Sequence, residues 1–261
     1  MVVSAALAVL TALAWIYVLR LAADMDMGGM DMRGMRMVST GWRMAMATGQ
    51  QPWTAGEFLL MSAMWAVMMV GMMTPSAAPL VLLYARVGRQ AAMDRKPFAA
   101  TGWFASGYLF AWTVFAVAAT AAQWGLERAA LLTPAMESAS RPLGGIVLVA
   151  AGLYQWSRLK AACLTHCRSP LGFLQQHGGF RGDAAGSFGL GARHGLTCVG
   201  CCWVLMALLF VGGVMNVTWI AGLAIAVLVE KVAPWGSVLG RLAGAAFVMA
   251  GAWLLVASAA Q

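Results

Sequence analysis

The chain has 261 residues, 62% of them hydrophobic and only 10% charged, and carries a net charge of +8. Apolar runs of about twenty residues recur along it, the length that crosses a bilayer, which excludes an ordinary water-soluble domain and leaves no room for a second, soluble one. The runs lack the alternation of barrel strands, and lipid cannot satisfy open backbone groups, so the expected class is all-α: a polytopic transmembrane helical bundle.

In chain order the expected spans are 2–22, 57–84, 98–124, 143–158, 196–215, 218–230 and 235–257. That makes about seven helices in a single membrane domain, 1–261, with six as the rival because the fourth and sixth runs are short. No Lys or Arg precedes the first run, and Arg20 stands where a cleavage site would lie, so it reads as a helix and not a signal peptide. Arg86, Arg89, Arg95 and Lys96 fill one loop, and Arg158, Lys160, Arg168, Arg181 and Arg193 another. Both loops, and with them the N-terminus, are expected on the cytoplasmic side. Basic clusters interleaved with aromatics are absent, which excludes nucleic acid as a partner. Two long loops remain for chemistry: 23–55 outside and 159–195 inside.

The outer loop contains "MDMGGMDMRGMRM", with Met25, Met27, Met30, Met32, Met35 and Met37 among aspartate, glycine and arginine. No helical or strand period runs through it. A low-complexity linker has this composition; so does a capture loop, because thioether sulfur is a soft donor that suits Cu(I) and glycines let several sulfurs converge.

The second helix continues the theme. Glu57, Met61, Met64, Met68 and Met72 fall at intervals of four, three, four and four, on one helical face, and Met69 and Met73 form a strip beside them. Methionine also fills cores, yet Glu57 at the outer mouth would attract a cation. Pro75 and Pro79 are expected to break the helix near its inner half.

All five cysteines and all three histidines lie between Cys163 and Cys202. In "CLTHC", Cys163, His166 and Cys167 cluster; in "HGLTCVGCCW", His194, Cys198 and Cys202 share a helical face with Cys201 adjacent, and Met206 follows one turn later. Two facing helices would offer sulfur and nitrogen ligands to copper, zinc or an iron centre. Cys198-Val-Gly-Cys201 is also a Cys-x-x-Cys pair, the spacing of redox thiols. His177 has no cysteine near it and reads as a loop residue. Glu230 and Lys231 end the sixth helix and are expected to pair at the interface; burial inside the membrane would make them functional suspects.

The blocks "WAVMMVGMMTPSAAP", "YQWSRLKAACLTHCRSP" and "HGLTCVGCCWVLMALLFVGGVMNVTWIAGLAIAVLVEK" resemble those of a bacterial family of predicted metal-binding integral membrane proteins of unknown function, over most of residues 57–236. The resemblance implies a multi-pass protein of the bacterial inner membrane and a metal connection, and carries the family's motif positions onto Cys163, Cys167, Cys198, Cys201 and Cys202. A looser similarity in chemistry, not fold, holds with eukaryotic high-affinity copper transporters.

The expected function is therefore membrane copper handling: Cu(I) captured by the outer Met-rich loop and passed through membrane methionines to the Cys/His site. The expected partners are the lipid bilayer and a metal-delivery or accessory protein. The alternative is a membrane redox enzyme or metal-centre oxidoreductase that uses the cysteines with a partner protein.

Overall fold

The computed structural model describes residues 2–25, 35–48, 52–95, 99–133 and 136–259. In chain order these form α1 (Val2–Met25), β1 (Met35–Ser39), β2 (Met44–Thr48), α2 (Ala55–Met93), α3 (Thr101–Arg128), α4 (Arg141–Gln155), α5 (Arg158–Arg168), α6 (Pro170–Gln176), α7 (Ala184–Ala207), α8 (Leu209–Gly212), α9 (Val217–Val232) and α10 (Gly236–Ala259). Each of the seven expected spans falls on a helix. Five helical stretches, α1, α2, α3, α7 with α8, and α10, are long and apolar enough to cross a membrane; α4 and α9, at 15 and 16 residues, are shorter.

Short polar side chains start the helices by accepting from the orphan N–H groups of the first turn. Ser157 accepts from Lys160, Asp183 from Gly186 and Asn216 from Trp219. Such caps explain one departure from the sequence reading. The inner loop 159–195 is largely helical, because Ser157 and Asp183 open α5 and α7 within or beside it.

A second departure concerns the outer loop. Met35 and Met37 lie on β1, which pairs antiparallel with β2 in the register Met35↔Thr48, Met37↔Met46 and Ser39↔Met44. Thr40 N–H donates to Arg43 O at 2.9 Å across the turn, and Gly41 there adopts φ +99°, a conformation glycine reaches without steric cost. The methionine spacing of two is thus a strand period. Met25 ends α1, while Met27, Met30 and Met32 lie outside the described residues. Trp42 of the turn meets the Tyr17 ring edge-on at 6.0 Å, so the hairpin sits at the end of the bundle where α1 finishes and α2 begins.

The third departure is α2, which runs through Pro75 and Pro79 without a break for 39 residues, about 58 Å at 1.5 Å per residue. Proline removes a ladder hydrogen bond, but neighbouring side chains satisfy the disturbed turn. Ser76 Oγ and Tyr108 Oη both donate to Met73 O, at 2.9 and 3.1 Å.

Packing follows the glycines. A Cβ on Gly107 of α3 would collide with Phe188 O, and one on Gly191 of α7 with Phe104 O, so these two helices touch backbone to backbone. The same device joins α4 to α10: a Cβ on Gly251 would stand 2.7 Å from Gly145 O, and one on Gly244 3.0 Å from Gly152 O. α2 lies against α1, α3 and α9, and α5 lies against α7. The outer faces of α1 and α10 leave Val9, Leu13, Leu242, Met249 and Trp253 exposed.

Two glycines of α7 test this packing. Gly191→Ala, whose Cβ meets Phe104 backbone, is expected to lower the thermal midpoint of the detergent-purified protein, by the ~1–3 kcal/mol of overpacking. Gly189→Ala has open space around it and should leave the midpoint equal or higher, because alanine favours a helix over glycine.

Candidate metal-handling site

The strongest concentration of chemistry lies where α2, α3, α5, α7 and α9 converge. Met61, Met64, Met68, Met69, Met72 and Met73 of α2 are all buried, at 0–1% exposure, and so are Cys198, Cys201, Cys202 and Met206 of α7. α2 and α7 run antiparallel. Trp65 faces Phe210 with ring centroids 5.3 Å apart, Met73 Sδ lies 4.0 Å from Cys202 Sγ, and Tyr84 Oη lies 2.5 Å from Ser187 Oγ. Met69 and Met206 therefore fall at the level between the first two of these contacts.

Within the cysteine cluster, spacing on α7 sets the directions. Cys201 and Cys202 each point a thiol back to Cys198 O at 3.0 Å, the usual use of a short polar side chain on a helix. Cys198 Sγ instead faces α3 and α9, 3.2 Å from Tyr108 Oη and 2.9 Å from Lys231 Nζ. From α5, Cys167 Sγ approaches Cys201 Sγ to 3.9 Å. Hydrogen bonding to the Cys198 and Cys201 sulfurs, followed by burial, holds the Cys167 thiol well above its ordinary pKa. Cys163 packs on Gly200, where an added Cβ would stand 2.9 Å from its Sγ, and burial pushes that thiol up as well. All five cysteines are free thiols.

No group of three or more His, Cys, Asp or Glu side chains among the described residues is arranged as a ready metal site. What the structure brings together is sulfur in pairs. Two sulfurs bound to one tetrahedral ion at 2.3 Å stand about 3.8 Å apart, close to the 3.9 Å of Cys167 and Cys201 and the 4.0 Å of Met73 and Cys202. Thiol and thioether donors of this kind suit Cu(I).

The histidines contribute unequally. His166 uses both ring nitrogens away from the thiols, on Ala162 O and Gln176 Oε1 at 2.7 Å each. His177 bonds Phe173 O. His194 is buried among the rings of Phe104, Tyr108 and Phe173, and its Nδ1 is a buried atom with no hydrogen-bond partner.

Three expectations need correction. Glu57 is not poised at the mouth as a bare anion: its carboxylate accepts from Thr54 N–H at 2.7 Å while its own N–H donates to Thr54 Oγ1, a capping box legible as Thr54-x-x-Glu57. Glu230 and Lys231 do not pair with each other, since adjacent helical residues project about 100° apart. Glu230 is paired with Lys160 at 2.7 Å, and Lys160 also donates to Gln155. Lys231 turns the other way, to Cys198 and Ser76 Oγ. Tyr108, Ser76 and Lys160 went unread because nothing in their own segments marks them; only the fold assembles them.

A model of the PpoB2 copper chaperone family matches residues 62–254, which contain the inner methionines, every cysteine and Lys231. No curated protein and no solved structure matches the chain.

Two measurements probe this geometry. A mild oxidant is expected to join Cys167 to Cys201 as a disulfide linking α5 to α7, seen by peptide mass spectrometry and lost in Cys167→Ser; absence of the link in the wild type would contradict the observed approach. Lys160→Met should destabilise the fold by the ~3–5 kcal/mol of a buried charge left without its partner, and a second change, Glu230→Leu, should recover most of the lost midpoint.

Proposed function

We propose that this chain, which belongs to the PpoB2 copper chaperone family, is an integral membrane protein that takes Cu(I) at its hairpin end and passes it along the methionines of α2 to the sulfur cluster of α5 and α7. The observation that carries the reading is the contact of Met73 Sδ with Cys202 Sγ at 4.0 Å, which makes one continuous sulfur surface of the thioether strip and the thiols. The lipid-facing role of the outer helices is supported by five apolar stretches of spanning length and by the exposed hydrophobics of α1 and α10. The basic loops favour an N-terminus on the cytoplasmic side of a bacterial inner membrane.

The chemistry of transfer follows from the donors. Thioethers are neutral and exchange a soft cation readily; thiols that release a proton on binding hold it more firmly. Copper therefore moves down a gradient of ligand strength from Met61 toward Cys202, Cys201 and Cys167. Lys231 supplies a fixed positive charge beside Cys198, and Tyr108 bridges that sulfur to Met73 O, which holds the two helices at exchange distance. Delivery onward requires an acceptor protein that meets the exposed side of α5, where Cys163 and Cys167 are only half-buried.

Leucine replaces methionine at nearly equal volume and without the sulfur. A Met64→Leu, Met68→Leu, Met72→Leu variant is expected to abolish copper accumulation while membrane expression persists. Elemental analysis after anaerobic Cu(I) loading should find a Met-dependent fraction that survives when all five cysteines are serine. Unchanged accumulation in the leucine variant, or no retained copper in the wild type, would overturn the reading.

A further inference from the structure

The copper route leaves one expensive feature of the bundle unexplained. Gln123 is completely buried on the apolar helix α3, where an amide is costly unless its groups are bonded. Its Oε1 accepts from Trp65 Nε1 at 2.8 Å, and its Nε2 donates to Glu127 Oε1 at 2.9 Å. The other Glu127 oxygen accepts from Trp53 Nε1 at 3.0 Å. A polar chain thus runs from Trp53, just before α2, to an indole in the core, and its inner end fixes the rotation of the Trp65 ring.

Trp65 occupies a particular place. Met61, Trp65, Met69 and Met73 follow one another at intervals of four, one above the next along α2, with neighbouring Cβ atoms about 5–6 Å apart. This is the strip whose last member touches Cys202. One of its four positions therefore presents an indole where the others present sulfur. Met61 and Met69 are two helical turns apart, about 11 Å, and the ring fills the interval. Phe210 packs tilted against it at 5.3 Å, and the N–H is committed to Gln123, so the π face is what remains for the strip. Tryptophan is the best side-chain partner for a cation held over a ring face, and the attraction is strongest where water is excluded.

We infer that Trp65 is a cargo-contact residue of the route, holding Cu(I) over its indole face between Met61 and Met69, with Gln123 and Glu127 as positioning residues that lock the ring. The inference rests on the copper reading above. It gives a buried amide and carboxylate a task that packing alone does not require, since a leucine at position 123 would fill the space without an unpaired polar group.

The test is an anaerobic titration of the full-length, detergent-purified protein with Cu(I), and with Ag(I) as a redox-silent stand-in, following indole absorption and fluorescence beside bound metal. The wild type should show a red-edge absorption shift and a quench that saturate with the metal. Trp65→Phe should lose most of both signals, although eleven of the twelve tryptophans remain, with the thiol-bound metal and the thermal midpoint retained. Trp65→Leu should weaken the Met-dependent equivalent by about two- to thirtyfold. Gln123→Leu, which frees the ring, should diminish the signal without removing metal. A full signal in Trp65→Phe, or metal binding by the wild type with silent indoles, would overturn the inference and leave the copper reading standing. A wild type that binds neither metal would overturn both.

Discussion

The arrangement depends on the backbone contact between α3 and α7. Gly107 and Gly191 remove the two side chains that would otherwise hold these helices apart, and Gly195 does the same one turn further on, where an added Cβ would stand 2.9 Å from Tyr108 O. With α7 drawn this close to α3, a tyrosine on α3 can reach a cysteine on α7 and a carbonyl on α2 at the same time. The methionines of α2 then meet α7 through their full length. Close approach on one side and long side chains on the other are two results of the same glycines.

Charge is distributed with similar economy. Three ionisable groups are buried together near the end of α9: Lys160, Glu230 and Lys231. Lys160 and Glu230 neutralise each other and tie α5 to α9, so the cluster's net positive charge is concentrated on Lys231, beside sulfur. A buried ion pair seldom adds much stability by itself, but losing one partner is costly. The pair therefore fixes where α5 can stand, and with it how near Cys167 comes to Cys201.

Most of the helices could be read from hydropathy, because a continuous apolar run of spanning length has few other solutions. The i, i+4 spacing likewise placed Cys198 and Cys202, and the methionines of α2, on shared faces. Features that depend on what lies across an interface were not legible. Nothing near Tyr108 or Gln123 in the chain indicates their partners, which are 90 and 58 residues away. Elsewhere the signals existed but had a second meaning. Thr54 and Glu57 spell a helix cap, Met35 and Met37 alternate as a strand does, and Pro75 sits beside a serine able to cover the disturbed turn. Charge at the end of α9 suggested an interface pair, whereas helical geometry sends Glu230 and Lys231 to different neighbours.

The antiparallel match of α2 and α7 has a further consequence for how such a chain can change in length. Trp65 with Phe210, Met73 with Cys202 and Tyr84 with Ser187 are three rungs of one ladder. One residue inserted between Trp65 and Met73 would turn everything beyond it by about 100° and advance it by 1.5 Å, so the lower rungs would miss together. The same insertion after Met93, beyond the end of α2, would disturb none of them. Lineages of this fold are thus free to vary their connections while the spacing inside these two helices stays frozen, and a conserved interval, more than any conserved side chain, is the mark by which the route would be recognised in a distant relative.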